Sequence, residues 1–214
     1  MRNQFDRQLD KLHNDMIEMG NLIEQAIEQA VNALANNDVE LAKQTISFDS
    51  VIDDQEREIE NICFKLLLQQ QPVARDLRVI SAALKMVTDM ERIGDHAEDI
   101  SEITVLLSNH PYPAELNVIR MMSKETIRMV VEAIEAFVDS DEERAKAVIQ
   151  HDDIVDRLFL QAKRELIEQM KERPERSEQA ADLLMVAKYF ERIGDHATNI
   201  AEWVIYSITG ELKK

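Results

Sequence analysis

The sequence predicts an all-α protein made of two tandem three-helix bundles that are related by internal duplication. The chain has only four Gly and four Pro among 214 residues, so few positions can break a helix. Apolar residues recur at intervals of three and four over long segments, as on the buried face of a helix. The seven residues ERIGDHA occur twice, at positions 91–97 and 191–197. The second copy indicates a repeat of the whole helical unit.

Three helices are predicted in the first repeat, to which we assign residues 1–110. The turn between the first two is Asn36-Asn37-Asp38, where Asp38 is a suitable N-cap. The second helix must end before Pro72, and the third is stopped by Pro111 and Pro113. The predicted bounds are about Phe5 to Ala35, Val39 to the residue before Pro72, and Val73 to Asn109.

The second repeat, residues 111–214, follows the same plan. Asn37-Asp38 aligns with Ser140-Asp141 at an offset of 103 residues. In the third helix of each repeat the offset is 100, because the two ERIGDHA copies are separated by that distance. The predicted helices are about Glu115 to Val138, Asp141 to Glu172 and Glu175 to Thr209.

Composition and charge narrow the expected partners and location of the protein. The chain has 42 acidic and 25 basic residues and a formal charge of −17, which disfavours nucleic acid as a partner. The sequence contains no signal-peptide pattern and no apolar run of about 20 residues, so we expect a cytoplasmic protein. The single cysteine, Cys63, lies among apolar residues and is predicted to be buried.

Stacked carboxylates are the main functional signal. Glu91, Asp95 and Asp99 are four residues apart, so they form one column on the third helix. Like charges at this spacing destabilise a helix, and an interior glycine such as Gly94 costs about 1 kcal/mol more. A helical wheel places the column away from the core, facing outward or into a groove.

A facing helix supplies further carboxylates at the same spacing: Asp49 and Asp53 in the first repeat, Asp152 and Asp156 in the second. Because cation binding would offset the repulsion, the pattern predicts a metal site in each repeat. Oxygen ligands suit Mg, Mn, Ca or oxidised iron, and the scarcity of cysteine argues against a thiolate zinc site.

Other interpretations of these residues remain open. The columns could be a solvated acidic face of a plain helical scaffold. A di-iron oxidase would require Glu-x-x-His, whereas Glu91 and His96 are five apart. A metal phosphohydrolase could use His151 with Asp152, although the further histidines that it would need are not evident. His96 and His196 are assigned to packing rather than to metal binding.

The sequence resembles the PhoU family over essentially its whole length. The resemblance is carried by QPVARDLR at 71–78, DMERIGDHA at 89–97 and ERIGDHATNI at 191–200. It implies two similar three-helix bundles in a cytoplasmic, usually dimeric protein. It also implies multinuclear metal clusters, of iron or zinc above all and with Mg or Mn possible. The metal ligands that it implies are Asp49, Asp53, Glu91, Asp95 and Asp99, and then Asp152, Asp156, Glu191, Asp195 and Asn199.

The resemblance further implies a regulator without enzymatic activity. Members of the family dampen phosphate uptake and phosphate-starvation (Pho regulon) signalling. They contact the ATPase subunit of the phosphate ABC importer and the phosphate-sensing histidine kinase, so they are peripheral to membrane complexes. One difference separates the two repeats, because Asp99 aligns with Asn199. An amide is a neutral and weaker ligand, so we expect the second site to hold fewer ions or a different one.

Overall fold

The computed structural model describes residues 2–69, 73–108 and 116–211. Within these ranges the chain is helical and contains no strand. The six α-helices are α1 (Arg2–Asn36), α2 (Val39–Gln69), α3 (Ala74–Leu107), α4 (Asn117–Asp139), α5 (Glu142–Glu172) and α6 (Ser177–Thr209). The order and number of the predicted helices are therefore confirmed. None of the described helices combines the length and the apolarity that crossing a membrane requires.

Each repeat forms one bundle, in which α1, α2 and α3 pack together and α4, α5 and α6 pack together. The connection between the first and second helices has the same geometry in both bundles. Asn37 and Ser140 have φ values of 53° and 54°, and the following aspartates cap α2 and α5. The Asp38 amide donates to Ala33 and the Asp141 amide donates to Ala136, as in a Schellman motif. The duplication is thus visible at the level of single hydrogen bonds.

The start of the sixth helix differs from its sequence-based bound. A short 3-10 helix, Pro174–Arg176, precedes α6, which therefore begins at Ser177 and not at Glu175. Proline suits the first position of such a turn, because it has no amide hydrogen to satisfy there. The predicted stops at Pro72, Asn109, Pro111 and Pro113, the start of the fourth helix at Glu115 and the boundary between residues 110 and 111 lie outside the described residues.

The two bundles share one continuous apolar core. Phe190 of α6 is the largest of the fully buried side chains. Cys63 is also fully buried, as predicted, and burial raises the pKa of its thiol to about 12. Such a thiol stays protonated and packs as a small apolar group.

The bundles meet mainly through α3 and α6, with α1 and α4 adding a second contact. The two long helices are antiparallel, since Arg78 near the start of α3 lies against Gly210 at the end of α6. Both helices carry an ERIGDHA copy. The seam between the repeats therefore runs directly beside the predicted metal ligands.

Candidate metal centres

The predicted ligands of the first repeat lie along the contact between α2 and α3, which we call the first groove. Asp49 and Asp53 belong to α2, and Glu91, Asp95 and Asp99 belong to α3. The exposed fractions of the Glu91, Asp95 and Asp99 side chains are 17%, 29% and 37%. The column is therefore half-buried beside a neighbouring helix, so it faces a groove and not open solvent.

Glycine allows the two helices of each groove to approach closely. A Cβ atom on Gly94 would lie 3.0 Å from Ile52 Cδ1 and 3.4 Å from Asp49 Oδ1. A Cβ atom on Gly194 would lie 2.9 Å from Asp152 Oδ1. The glycine of ERIGDHA thus leaves room for a carboxylate of the facing helix, which accounts for its cost in helix propensity.

Burial and mutual repulsion disfavour the charged forms of the first groove's acids. Burial, with the negative charges of Asp53, Asp95 and Asp99, raises the pKa of Asp49 to about 6. Burial and the charge of Asp95 raise the pKa of Glu91 to about 7, although Arg92 opposes this shift. The Asp49 Oδ1 atom is buried and has no hydrogen-bond partner. Such an oxygen is available to a cation.

Two further acids belong to the first groove but were not predicted from the sequence. Burial, followed by the charge of Asp49, raises the pKa of Glu98 to about 7. Burial and the charges of Glu60 and Asp53 raise the pKa of Glu56. The sequence did contain a signal for Glu98, because it is three residues after Asp95 and so lies on the same side of α3. Glu56 becomes evident only when α2 and α3 are packed together.

The second groove, between α5 and α6, brings together Asp152, Asp156, Glu191 and Asp195. Burial and the charges of the other three acids raise the pKa of Asp152 to about 6. Burial and the charge of Glu191 raise the pKa of Asp195, whereas the Lys188 ammonium lowers it. Lys188 donates a hydrogen bond to Glu191 in this groove.

The seam between α3 and α6 holds both ERIGDHA histidines. The rings of His96 and His196 are 5.5 Å apart, and His96 is also 5.3 Å from the ring of Tyr189. His196 Nδ1 is 2.8 Å from Asp89 Oδ1, and the Asn199 amide donates to the same oxygen at 3.1 Å. The position of both histidine rings in this seam agrees with their assignment to packing. The amide of Asn199 therefore links the repeats, and its role as a metal ligand stays a prediction.

Three carboxylates of the first groove each lie beside an arginine or a histidine. Arg92 bonds Asp95 at 2.7 Å, Arg57 bonds Asp53 at 3.3 Å, and His96 lies 3.2 Å from Asp99. Over residues 2–69, 73–108 and 116–211, no three His, Cys, Asp or Glu side chains form a ready-made ion site. Binding of a metal ion would thus require these carboxylates to turn away from their present partners.

Comparison with known proteins shows that the two grooves lie in two copies of one known domain. The PhoU domain matches the chain twice, over residues 16–104 and 119–204. The chain belongs to the PhoU family. Every one of the ten predicted ligands falls within these two PhoU domain matches.

Curated and solved PhoU proteins align over nearly the full chain. The phosphate-specific transport system accessory protein PhoU homolog of Clostridium acetobutylicum is 38% identical and aligns over 97% of this chain and 95% of its own length. The crystal structure of PhoU from Pseudomonas aeruginosa is 37% identical, has a TM-score of 0.91 and covers 97% of this chain and 100% of that one. The phosphate transport system regulatory protein PhoU from Streptococcus pneumoniae is 28% identical, with a TM-score of 0.88 and coverages of 98% and 99%.

His151, which was considered above for a phosphohydrolase site, contacts a carboxylate of α4 through its imidazole. Its Nε2 atom lies 2.6 Å from a carboxylate oxygen of Glu125. This contact joins α4 to α5 inside the second PhoU domain.

Replacing Asp89 by Ala should weaken the contact between the two PhoU domains. The carboxylate of Asp89 is only 16% exposed, and its loss leaves the imidazole of His196 without this partner. We expect the free energy of unfolding to fall by about 1–3 kcal/mol, measured by urea denaturation. Asp89→Asn keeps an acceptor and should lose less. Equal and negligible losses in both variants would contradict a role for this contact in joining the repeats.

Proposed function

We propose that this chain is a non-enzymatic accessory regulator of a phosphate-specific transport system. The observation that carries the proposal is the pair of PhoU domains, which together span most of the chain. Support comes from relatives over nearly its full length that are named as accessory or regulatory proteins of phosphate transport. Such a regulator lowers phosphate uptake and phosphate-starvation signalling when phosphate is plentiful.

The regulator acts by protein contact. Its partners are the ATPase subunit of the phosphate ABC importer and the phosphate-sensing histidine kinase, and it works as a cytoplasmic homodimer at the membrane periphery. Co-purification from phosphate-replete cells, compared with starved cells, tests this directly. Recovery of the importer's ATPase or of the kinase supports the proposal. If neither is recovered from replete cells under mild cross-linking, the regulatory assignment fails.

Each groove binds metal ions in this proposal. In the first groove the ligands are Asp49, Asp53, Glu91, Asp95 and Asp99, and in the second they are Asp152, Asp156, Glu191, Asp195 and Asn199. Three observations support a fit: the donors are mainly carboxylates, the Asp49 Oδ1 atom is orphaned, and glycine leaves space beside each facing carboxylate. Iron or zinc in multinuclear clusters is proposed, with Mn or Mg as alternatives. The cations would supply positive charge that offsets repulsion between the acids.

Metal binding in the first groove requires that two arginine side chains leave their carboxylate partners. The side chains of Arg57 and Arg92 are 63% and 56% exposed, so both guanidinium groups can turn into solvent at little cost. The carboxylates that they leave are tethered to α2 and α3. The basic side chains thus serve as partners that a metal ion can replace.

Elemental analysis of untagged protein tests the ligand assignment. Glu191→Ala with Asp195→Ala should remove the metal of the second groove, and Glu91→Ala with Asp95→Ala should remove that of the first. Glu168→Ala is a matched control, because this acid lies on α5 outside the groove and its side chain is 60% exposed. Unchanged metal content in the paired ligand variants would refute the assignment.

A further inference from the structure

The two grooves carry different charges at equivalent positions. With the offsets of 103 for α2 and α5 and 100 for α3 and α6, three acids of the first groove align with neutral residues of the second. A fourth position changes from neutral to basic. The pairs are Glu56 with Phe159, Glu98 with Thr198, Asp99 with Asn199, and Thr88 with Lys188.

Lys188 is bound inside the second groove. Its ammonium donates to a carboxylate oxygen of Glu191, a side chain that is only 16% exposed. The same ammonium lies 5.5 Å from the centre of the Phe159 ring, which occupies the position of Glu56 in the first repeat. A carboxylate on one side and an aromatic face on the other hold the cation in place.

No cation comes from the equivalent position of the first groove. Thr88 directs its hydroxyl to the backbone oxygen of Leu84, 3.4 Å away on its own helix. Arg92 does reach Glu91 and Asp95, but an arginine, Arg192, stands at the matching position of the second repeat. The arginine beside Glu91 is thus common to both repeats. Arg57, which aligns with Leu160, bonds Asp53 and Asp54 and is 63% exposed. At the glutamate itself, the lysine is the difference.

We propose that Lys188 is a built-in counter-ion that keeps the metal affinity of the second groove low, so that the first groove fills first as metal becomes available. This inference rests on the proposed metal binding. An ammonium at contact distance from a ligand repels an incoming cation and competes for its carboxylate. The first groove has acids at three positions that are neutral in the second, and it has no such lysine. These differences act in the same direction, and the exposed Arg57 opposes them only weakly. The two PhoU domains would then respond to different metal concentrations.

Mn²⁺ titration of variants that retain one groove tests the proposal. Glu91→Gln with Asp95→Asn disables the first groove, so calorimetry then reports the second. In that background Lys188→Met should raise the Mn²⁺ affinity about tenfold, because the charge is lost while a long side chain still covers Phe159. Lys188→Arg retains the charge and should leave the affinity near that of the background.

The reciprocal change and a stability measurement complete the test. With Glu191→Gln and Asp195→Asn disabling the second groove, Thr88→Lys should weaken Mn²⁺ binding about tenfold, whereas Thr88→Met should not. In EDTA, Lys188→Met should lower the melting temperature, and with saturating Mn²⁺ it should show a larger metal-induced rise than the parent.

The outcomes separate this inference from the metal-binding proposal. Equal Mn²⁺ affinities for Lys188→Met, Lys188→Arg and their background would overturn the role of Lys188 alone. An equal gain in Lys188→Met and Lys188→Arg would also overturn it, because the charge would then not be the cause. Absence of Mn²⁺ binding in the parent and in every variant would overturn this inference, whereas the elemental analysis tests the metal-binding proposal separately.

Discussion

The melting temperature of the protein in EDTA should fall by about 4–8 °C as the pH rises from about 5 to about 8. The cause is the set of groove carboxylates whose folded-state pKa lies above the unfolded value: about 6 for Asp49 and Asp152, and about 7 for Glu91 and Glu98. Between about pH 4 and 7 the folded chain binds more protons than the unfolded chain, so stability is lost as the pH rises. After discounting for solvent screening, the total is on the order of 2 kcal/mol.

Calorimetric scans at constant ionic strength measure this effect, and a variant isolates its source. Burial lowers the pKa of His13 and His96, so these histidines act in the opposite direction below about pH 6.5. Glu91→Gln with Glu98→Gln removes two of the groove carboxylates and should flatten the profile. Saturating Mn²⁺ should also restore stability at about pH 8. A melting temperature that stays constant or rises toward alkaline pH in the parent would show that repulsion between the groove carboxylates does not destabilise the fold.

Replacing Phe190 by Ala should lower the free energy of unfolding by about 3–5 kcal/mol and the melting temperature by about 10 °C. Phe190 is 0% exposed and belongs to the apolar core, so its truncation leaves a cavity there. The measurement is urea or thermal denaturation followed by circular dichroism.

The repeat itself supplies the control for this substitution. Met90, also 0% exposed, occupies the matching position on α3. Phe190→Met therefore introduces a residue that the other bundle already accommodates, and it should cost less than about 1.5 kcal/mol. If Phe190→Ala and Phe190→Met lose the same small amount, the core around α6 is less tightly packed than its burial indicates.

The helices and their order are predictable from the sequence because the relevant signals are local. The period of apolar residues and the capping position at Asp38 and Asp141 depend only on neighbours along the chain. Asn37 and Ser140 each precede the capping aspartate, and both residues have the same left-handed backbone. The short turn at Pro174–Arg176 was missed because a proline indicates a helix start without specifying the first turn.

The grooves were predicted only in part, since their remaining residues come from more than one helix. The spacing of Glu91, Asp95 and Asp99 is evident in the sequence, but the contribution of Glu56 depends on how α2 packs on α3. The binding of Lys188 to Glu191 depends on the rotamer of a flexible side chain. The partner of Asn199, Asp89, is 110 residues away in the chain, and no local pattern indicates such a pair.

The unlike contacts at the seam bear on how the duplicated gene has diverged. Equivalent positions carry Asp89 and Tyr189, so His196 meets a carboxylate from the other repeat while His96 meets an aromatic ring. A tandem of two second repeats would place tyrosine opposite both histidines, and neither histidine would keep an acidic partner across the seam. The halves are therefore no longer interchangeable, because each supplies a seam contact that the sequence of the other does not provide. The ancestral symmetry survives in the backbone but has been lost in the side chains that join the halves.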